Sequence, residues 1–146
     1  MKIAVLSDTH NSIPSFLLKE LQCSDEIWHL GDVCSPKTIR PLEALDIPLK
    51  IIEGNCDSPF LWKKHLLITH AGIRFFLVHI PPRKPPKDVD VILHGHTHEP
   101  CDKMQSGIRW LNPGSISQPR GGSPASFGWL NIQKNKTFSW SLSTFS

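Results

Sequence analysis

The 146-residue chain has no CxxC pair among its four cysteines, Cys23, Cys34, Cys56 and Cys101. Such spacing argues against a disulfide framework and fits free thiols in a cytoplasmic protein. A secretory signal is also missing, because the apolar stretch behind Lys2 runs only from Ile3 to Leu6. No run is long enough to span a bilayer, so no membrane association is expected. There are no internal repeats, no long charge runs and no linker, and the expectation is one domain over residues 1–146. The formal net charge of +3 is too small to signal a nucleic-acid partner, though it permits an anionic substrate.

What is present is a globular composition, 39% hydrophobic and 20% charged, with 13 prolines that mostly punctuate loops. Lys2 to Ser7 is continuously apolar at its centre, the signature of a strand covered on both faces. A helix is expected over Ile13 to Leu21, with Pro14 in its first turn. A strand over Glu26 to Leu30, a helix over Pro36 to Leu45 and a strand over Leu49 to Glu53 complete a βαβαβ pattern, which implies a parallel sheet. In the second half, Leu66 to Thr69 and Ile73 to His79 flank Ala71-Gly72 as a hairpin. Strands are expected at Val89 to Leu93, Ile108 to Leu111, Phe127 to Ile132 and Thr137 to Leu142. The fold class is therefore α/β, with a parallel first half and a more antiparallel second half closed as two packed sheets flanked by helices.

Polar residues able to bind metal recur just past the strand ends. Asp8 and His10 follow the first strand, Asp32 the second and Asn55 the third, while His79 ends the hairpin and His96 and His98 follow the strand through Leu93. Ligands bind at the carboxyl ends of parallel strands, so these seven residues are expected to converge on one edge. In extended chain, residues i and i+2 point the same way, which lets Asp8 and His10 reach one ion and directs His96 and His98 toward one site. Gly31, Gly54 and Gly95 each precede a candidate ligand and permit tight turns and close backbone approach. Each piece alone is ordinary turn chemistry. Their joint occurrence, in order and at strand ends, is not. His29, His65, His70 and His94 read as structural or exposed, and the basic cluster Arg83, Lys84 and Lys87 as a loop near the rim of the site.

The combination of Asp8-Thr9-His10, Gly31-Asp32, Gly54-Asn55-Cys56-Asp57, His79 and Gly95-His96-Thr97-His98 resembles the calcineurin-like metallophosphoesterase family. Asn112-Pro113-Gly114-Ser115 and Ser117-Gln118-Pro119-Arg120-Gly121 resemble its small prokaryotic phosphodiesterase branch. The resemblance implies a four-layer α-β-β-α sandwich of two mixed sheets with helices outside. It implies one metal held by Asp8, His10, Asp32 and His98, and a second held by Asp32, Asn55, His79 and His96 with Asp32 bridging. The mixed nitrogen and oxygen donors suit two divalent ions drawn from Mn, Fe, Zn, Co or Ni. The implied reaction is hydrolysis of a small phosphoester, a diester rather than a monoester, by hydroxide bridging the two metals. A scaffold or binding protein on the same fold and a nuclease are the alternatives. The chain departs from the family pattern in three places. His79 is followed by Ile80-Pro81-Pro82, the segment from Ile80 to Asp90 is too short for the usual connecting helix, and Cys56 stands where many members carry histidine.

Overall fold

Alternation along the first strand sets the layers of the molecule, seen in a computed structural model that describes residues 1–146. In β1 (Lys2–Leu6), Ile3 and Val5 point to one face and Ala4 and Leu6 to the other, and all four are fully buried. Ile3 and Val5 pack with Trp28, Phe75, Leu77, Val91, Leu93, Leu111 and Leu130, which belong to two different sheets. Ala4 and Leu6 pack instead against helical residues Leu17, Leu21 and Leu42. A strand buried on both faces has no polar alternation, which is why β1 reads as a continuous apolar run.

The first sheet has the order β10-β9-β1-β2-β3, with β2 at Glu26–His29, β3 at Leu49–Ile51, β9 at Ala125–Ile132 and β10 at Phe138–Phe145. Within it β1, β2 and β3 run parallel, and β9 and β10 are antiparallel. The second sheet has the order β4-β5-β6-β8-β7, with β4 at His65–His70, β5 at Ile73–Val78, β6 at Val91–Leu93, β7 at Cys101–Gln105 and β8 at Ile108–Asn112. Its centre, β5-β6-β8, is parallel, and only its edges β4 and β7 are antiparallel. The second half is thus less antiparallel than its hairpins suggest, since hairpin turns are local while the parallel contacts are made by distant segments.

Helix α1 (Ser15–Leu21) buries Leu17 and Leu21, one turn apart on a single face. The segment expected as one helix over Pro36 to Leu45 is a 3₁₀ turn at Pro36–Ile39 followed by the short helix α2 (Arg40–Glu43). Pro41 lacks the N–H that would carry the first turn into the second. All helical elements precede β3, and they cover the first sheet. The outer face of the second sheet is covered by chain without helix: Val89 packs on Phe76, Ile92 and Trp110. The short proline-rich segment before Asp90 accounts for the thin outer layer of the second sheet. No helix is long and apolar enough to cross a membrane.

Candidate metal centre

The carboxyl ends of β1, β2 and β3 in one sheet and of β5, β6 and β8 in the other open onto the same edge. Asp8 and His10 follow β1, Asp32 follows β2 and Asn55 follows β3, while His79 follows β5 and His96 and His98 follow β6. Asp8, Asp32, His79 and His98 are buried, His10 and His96 are half-buried, and Asn55 is exposed. Asp8, His10, Asp32, His96 and His98 all adopt positive φ, between 40° and 70°. Non-glycine residues rarely sit there, and such strain concentrates where tertiary structure fixes a functional side chain.

Four of the candidate ligands, Asp8, His10, Asp32 and His98, place donor atoms within 4.8 Å of one another. Asp8 Oδ1 is 3.2 Å from His98 Nε2 and 3.7 Å from His10 Nε2. Asp32 Oδ2 lies 3.6 Å from His10 Nε2 and 3.3 Å from His79 Nε2, and His79 Nε2 is also 3.9 Å from Asp8 Oδ1. The remaining two ligands meet each other: His96 Nδ1 is 3.0 Å from Asn55 Oδ1, and the His96 ring stands edge-on to His79 with centroids 5.3 Å apart.

Hydrogen bonds outside the cluster orient these groups. His79 Nδ1 lies 2.7 Å from the Leu30 carbonyl, and His98 Nδ1 lies 2.7 Å from the Gln118 carbonyl. A carbonyl only accepts, so each Nδ1 carries the proton and each Nε2 presents its lone pair inward. Asp8 Oδ2 accepts from Ser7 Oγ and the His96 N–H, which leaves Oδ1 turned into the cluster. Asp8 Oδ1 and His79 Nε2 are buried, and despite their short contacts neither has a hydrogen-bond partner in good geometry. Buried polar atoms without a partner are costly, and two beside each other among carboxylates and imidazoles fit a bound cation. Close backbone approach is also required: a Cβ on Gly54 would collide with the backbone nitrogen and Oδ1 of Asp32.

The electrostatics agree with that fit. Burial disfavours ionisation of Asp32, yet the adjacent His79 imidazole and the hydrogen bond from the Cys56 N–H hold its carboxyl far below the usual range. Burial lowers the His79 pKa, but Asp32 and Asp8 beside it raise it on balance. His29 is a packed structural residue, as its sequence position suggests. It is wholly buried, with Nε2 3.1 Å from Thr9 Oγ1 and Nδ1 accepting the Gly31 N–H. Burial, the neighbouring Cys56 and Asp32 push the Cys34 thiol up to about 11.

Three supporting residues lie within the motifs quoted from the sequence, which assigned them no role of their own. Asp57 accepts backbone N–H groups from Asp32, Gly54 and Cys34. Asn112 donates to the Gly95 carbonyl and Thr97 Oγ1. Ser115 Oγ donates to the Asp8 carbonyl across 107 residues of sequence. Asp57 follows Gly54 by three positions, the spacing of a carboxylate that closes its own turn, and that spacing is the clue available in the sequence.

Comparison with known proteins gives this cluster its context. Residues 1–135 match the model of the calcineurin-like phosphoesterase superfamily domain. The chain belongs to that superfamily. It is 33% identical to phosphodiesterase YfcE of Escherichia coli strain K12, over 90% of this chain and 88% of that one. A probable metallophosphoesterase of Methanothermobacter thermautotrophicus is 30% identical, over 82% of this chain and 80% of its own. The solved structure of the E. coli phosphoesterase Yfce superposes with a TM-score of 0.79 at 28% identity, covering all of both chains. Wild-type Vps29 of Entamoeba histolytica, solved with Zn2+, shares the fold with a TM-score of 0.76 at 22% identity. Asp8, His10, Asp32 and His98 are a candidate donor group for a divalent metal in this member of the superfamily.

Proposed function

We propose that residues 1–146 form one cytoplasmic metallophosphoesterase domain that hydrolyses a small phosphodiester at a two-metal centre. The observation that carries this reading is the pair of partnerless buried atoms, Asp8 Oδ1 and His79 Nε2, 3.9 Å apart in a cluster of carboxylates and imidazoles. Asp8, His10, Asp32 and His98 would hold one divalent ion, and Asp32, Asn55, His79 and His96 the other. When bound, such ions supply Lewis acidity at a phosphoryl oxygen and lower the pKa of water.

The chain's own residues do the rest. Asp8 and Asp32 supply two negative charges while the other donors are neutral, so a dinuclear centre keeps a net positive charge toward an anionic phosphoester. The Leu30 and Gln118 carbonyls fix the tautomers of His79 and His98. Residues 80–90 form no helix, and a pocket of about 300 Å³ lined by Gly54, Asn55, Lys64, His79 and Ile80 opens at the cluster. That opening supports a diester, whose second substituent needs room. The full set of seven candidate donors favours an enzyme over a scaffold on the same fold.

The test is hydrolysis of a nitrophenyl diester and the matching monoester by protein reconstituted with Mn2+, Co2+ or Zn2+, with metal counted by elemental analysis. Two ions per chain and faster turnover of the diester are expected. Asp32→Ala should empty both positions, and Asn55→Ala mainly one. A plateau at one ion under saturating metal, or no hydrolysis with any metal, would refute the reading.

A further inference from the structure

The candidate centre leaves two thiols without a role. Cys34 lies two residues past Asp32, and Cys56 directly follows Asn55. Cys34 Sγ is 3.4 Å from His10 Nδ1, the ring nitrogen opposite the one that approaches Asp8 and Asp32. Donor atoms of His10, Cys34 and Cys56 all lie within 4.8 Å of one another. The two cysteines are pinned crosswise, since the Cys34 N–H donates to Asp57 Oδ1 and the Cys56 N–H to Asp32 Oδ1, each at 2.8 Å. Cys56 is exposed and Cys34 half-buried, so the group faces solvent on one side.

We propose that Cys34, Cys56 and His10 Nδ1 form a separate thiophilic cation site, taking Zn2+, Cd2+ or a similar dication beside the phosphoesterase centre. Metal–sulfur bonds of about 2.3 Å and metal–nitrogen bonds of about 2.0 Å make a tetrahedral S···N edge of roughly 3.5 Å. The observed 3.4 Å between Cys34 Sγ and His10 Nδ1 fits that edge without rearrangement. Two thiolates balance the charge of a dication: both thiol protons pass to solvent, and His10 binds through Nδ1 as a neutral imidazole with its proton on Nε2. The fourth position lies on the solvent side, where Cys56 is exposed. Softness separates the two centres: thiolates select Zn2+ and Cd2+, whereas the mixed oxygen and nitrogen donors of the cluster also accept Mn2+. His10 is shared between them, with Nε2 facing the carboxylates and Nδ1 the sulfurs, and as a neutral ring it ligates one ion at a time. A thiophilic cation therefore draws on a ring that the phosphoesterase centre needs, and its effect on hydrolysis is inhibition.

The test titrates Cd2+ into the reduced, Mn2+-loaded full chain. It follows the ultraviolet thiolate-to-cadmium charge-transfer band and counts the thiols shielded from a disulfide reagent. One Cd2+ per chain should give the band and shield two thiols. Cys34→Ser and Cys56→Ser should each abolish most of the band and weaken binding by roughly tenfold or more, with Cys34→Ala and Cys56→Ala as second variants if a serine variant misfolds. The double variant Cys23→Ser/Cys101→Ser should keep the full band. No thiolate band at saturating Cd2+, a band indifferent to Cys34 and Cys56, or a band lost with Cys23 and Cys101 would each overturn the proposal. The Mn2+ count, made without Cd2+, reports on the phosphoesterase centre alone, so failure of that reading is seen separately.

Discussion

The Asp57 carboxylate accepts the backbone N–H of Asp32 at 2.9 Å, joining the loop after β2 to the loop after β3. The same side chain takes the Gly54 N–H at 2.7 Å and the Cys34 N–H at 2.8 Å. It touches no candidate metal position and acts by holding Asp32 and Asn55 in register. Asp57→Ala would leave three donors without their acceptor, and we expect a loss of about 3 kcal/mol in stability. Asp57→Asn keeps one acceptor oxygen and should lose about half as much. Both should weaken metal binding by roughly 10–100-fold. Denaturant unfolding of the metal-free variants and calorimetric metal titration check this. Unchanged metal affinity in Asp57→Ala would remove the positioning role.

Gly54→Ala should be more damaging than its size suggests. The added Cβ meets the backbone nitrogen of Asp32, which cannot swing aside as the end of a side chain would. We expect a destabilisation of about 2 kcal/mol and loss of most bound metal. Full metal occupancy in Gly54→Ala would show that the two loops have slack.

Metal binding should release protons. The raised His79 pKa stabilises the metal-free fold below the ordinary value of 6.5, and this contribution is lost as pH rises through the raised value. A dication takes the place of that proton, so affinity should fall as pH falls through the raised value. Calorimetry in two buffers of different ionisation enthalpy measures the release. His79→Asn should release fewer protons, and equal release in the two proteins would contradict the assignment.

Stability of the metal-free protein should also fall in acid because of His29. Burial, with the neighbouring His79, holds its pKa down to about 3, against 6.5 in the unfolded chain. Protonation would place hydrogen on Nδ1, which accepts the Gly31 N–H. The folded-state value is depressed, so the contribution is complete above about pH 6.5 and is lost as pH falls toward about 3. In that window the slope should be about 1.4 kcal/mol per pH unit from this one group. His29→Gln should show a shallower slope in urea unfolding at stepped pH. Parallel curves for the two proteins would place the acid sensitivity elsewhere.

The sequence by itself determined the strands that carry the candidate donors, because apolar runs such as Ile3 to Leu6 and Val91 to Leu93 are buried on both faces and allow no polar residue. It also determined the order of the motifs, and with it the superfamily. Edge strand β7 escaped it, since four of its five residues are exposed and no periodicity marks them. Tertiary structure alone decided that β5, β6 and β8 run parallel, because that pairing joins segments separated by loops that carry no pairing signal. It also decided which nitrogen of His79 faces inward, through the carbonyl of Leu30, 49 residues earlier in the chain. The grouping of Cys34, Cys56 and His10 is of the same kind. Their spacing matches no ligand motif, and only the crosswise hydrogen bonds of Asp32 and Asp57 bring them to one place.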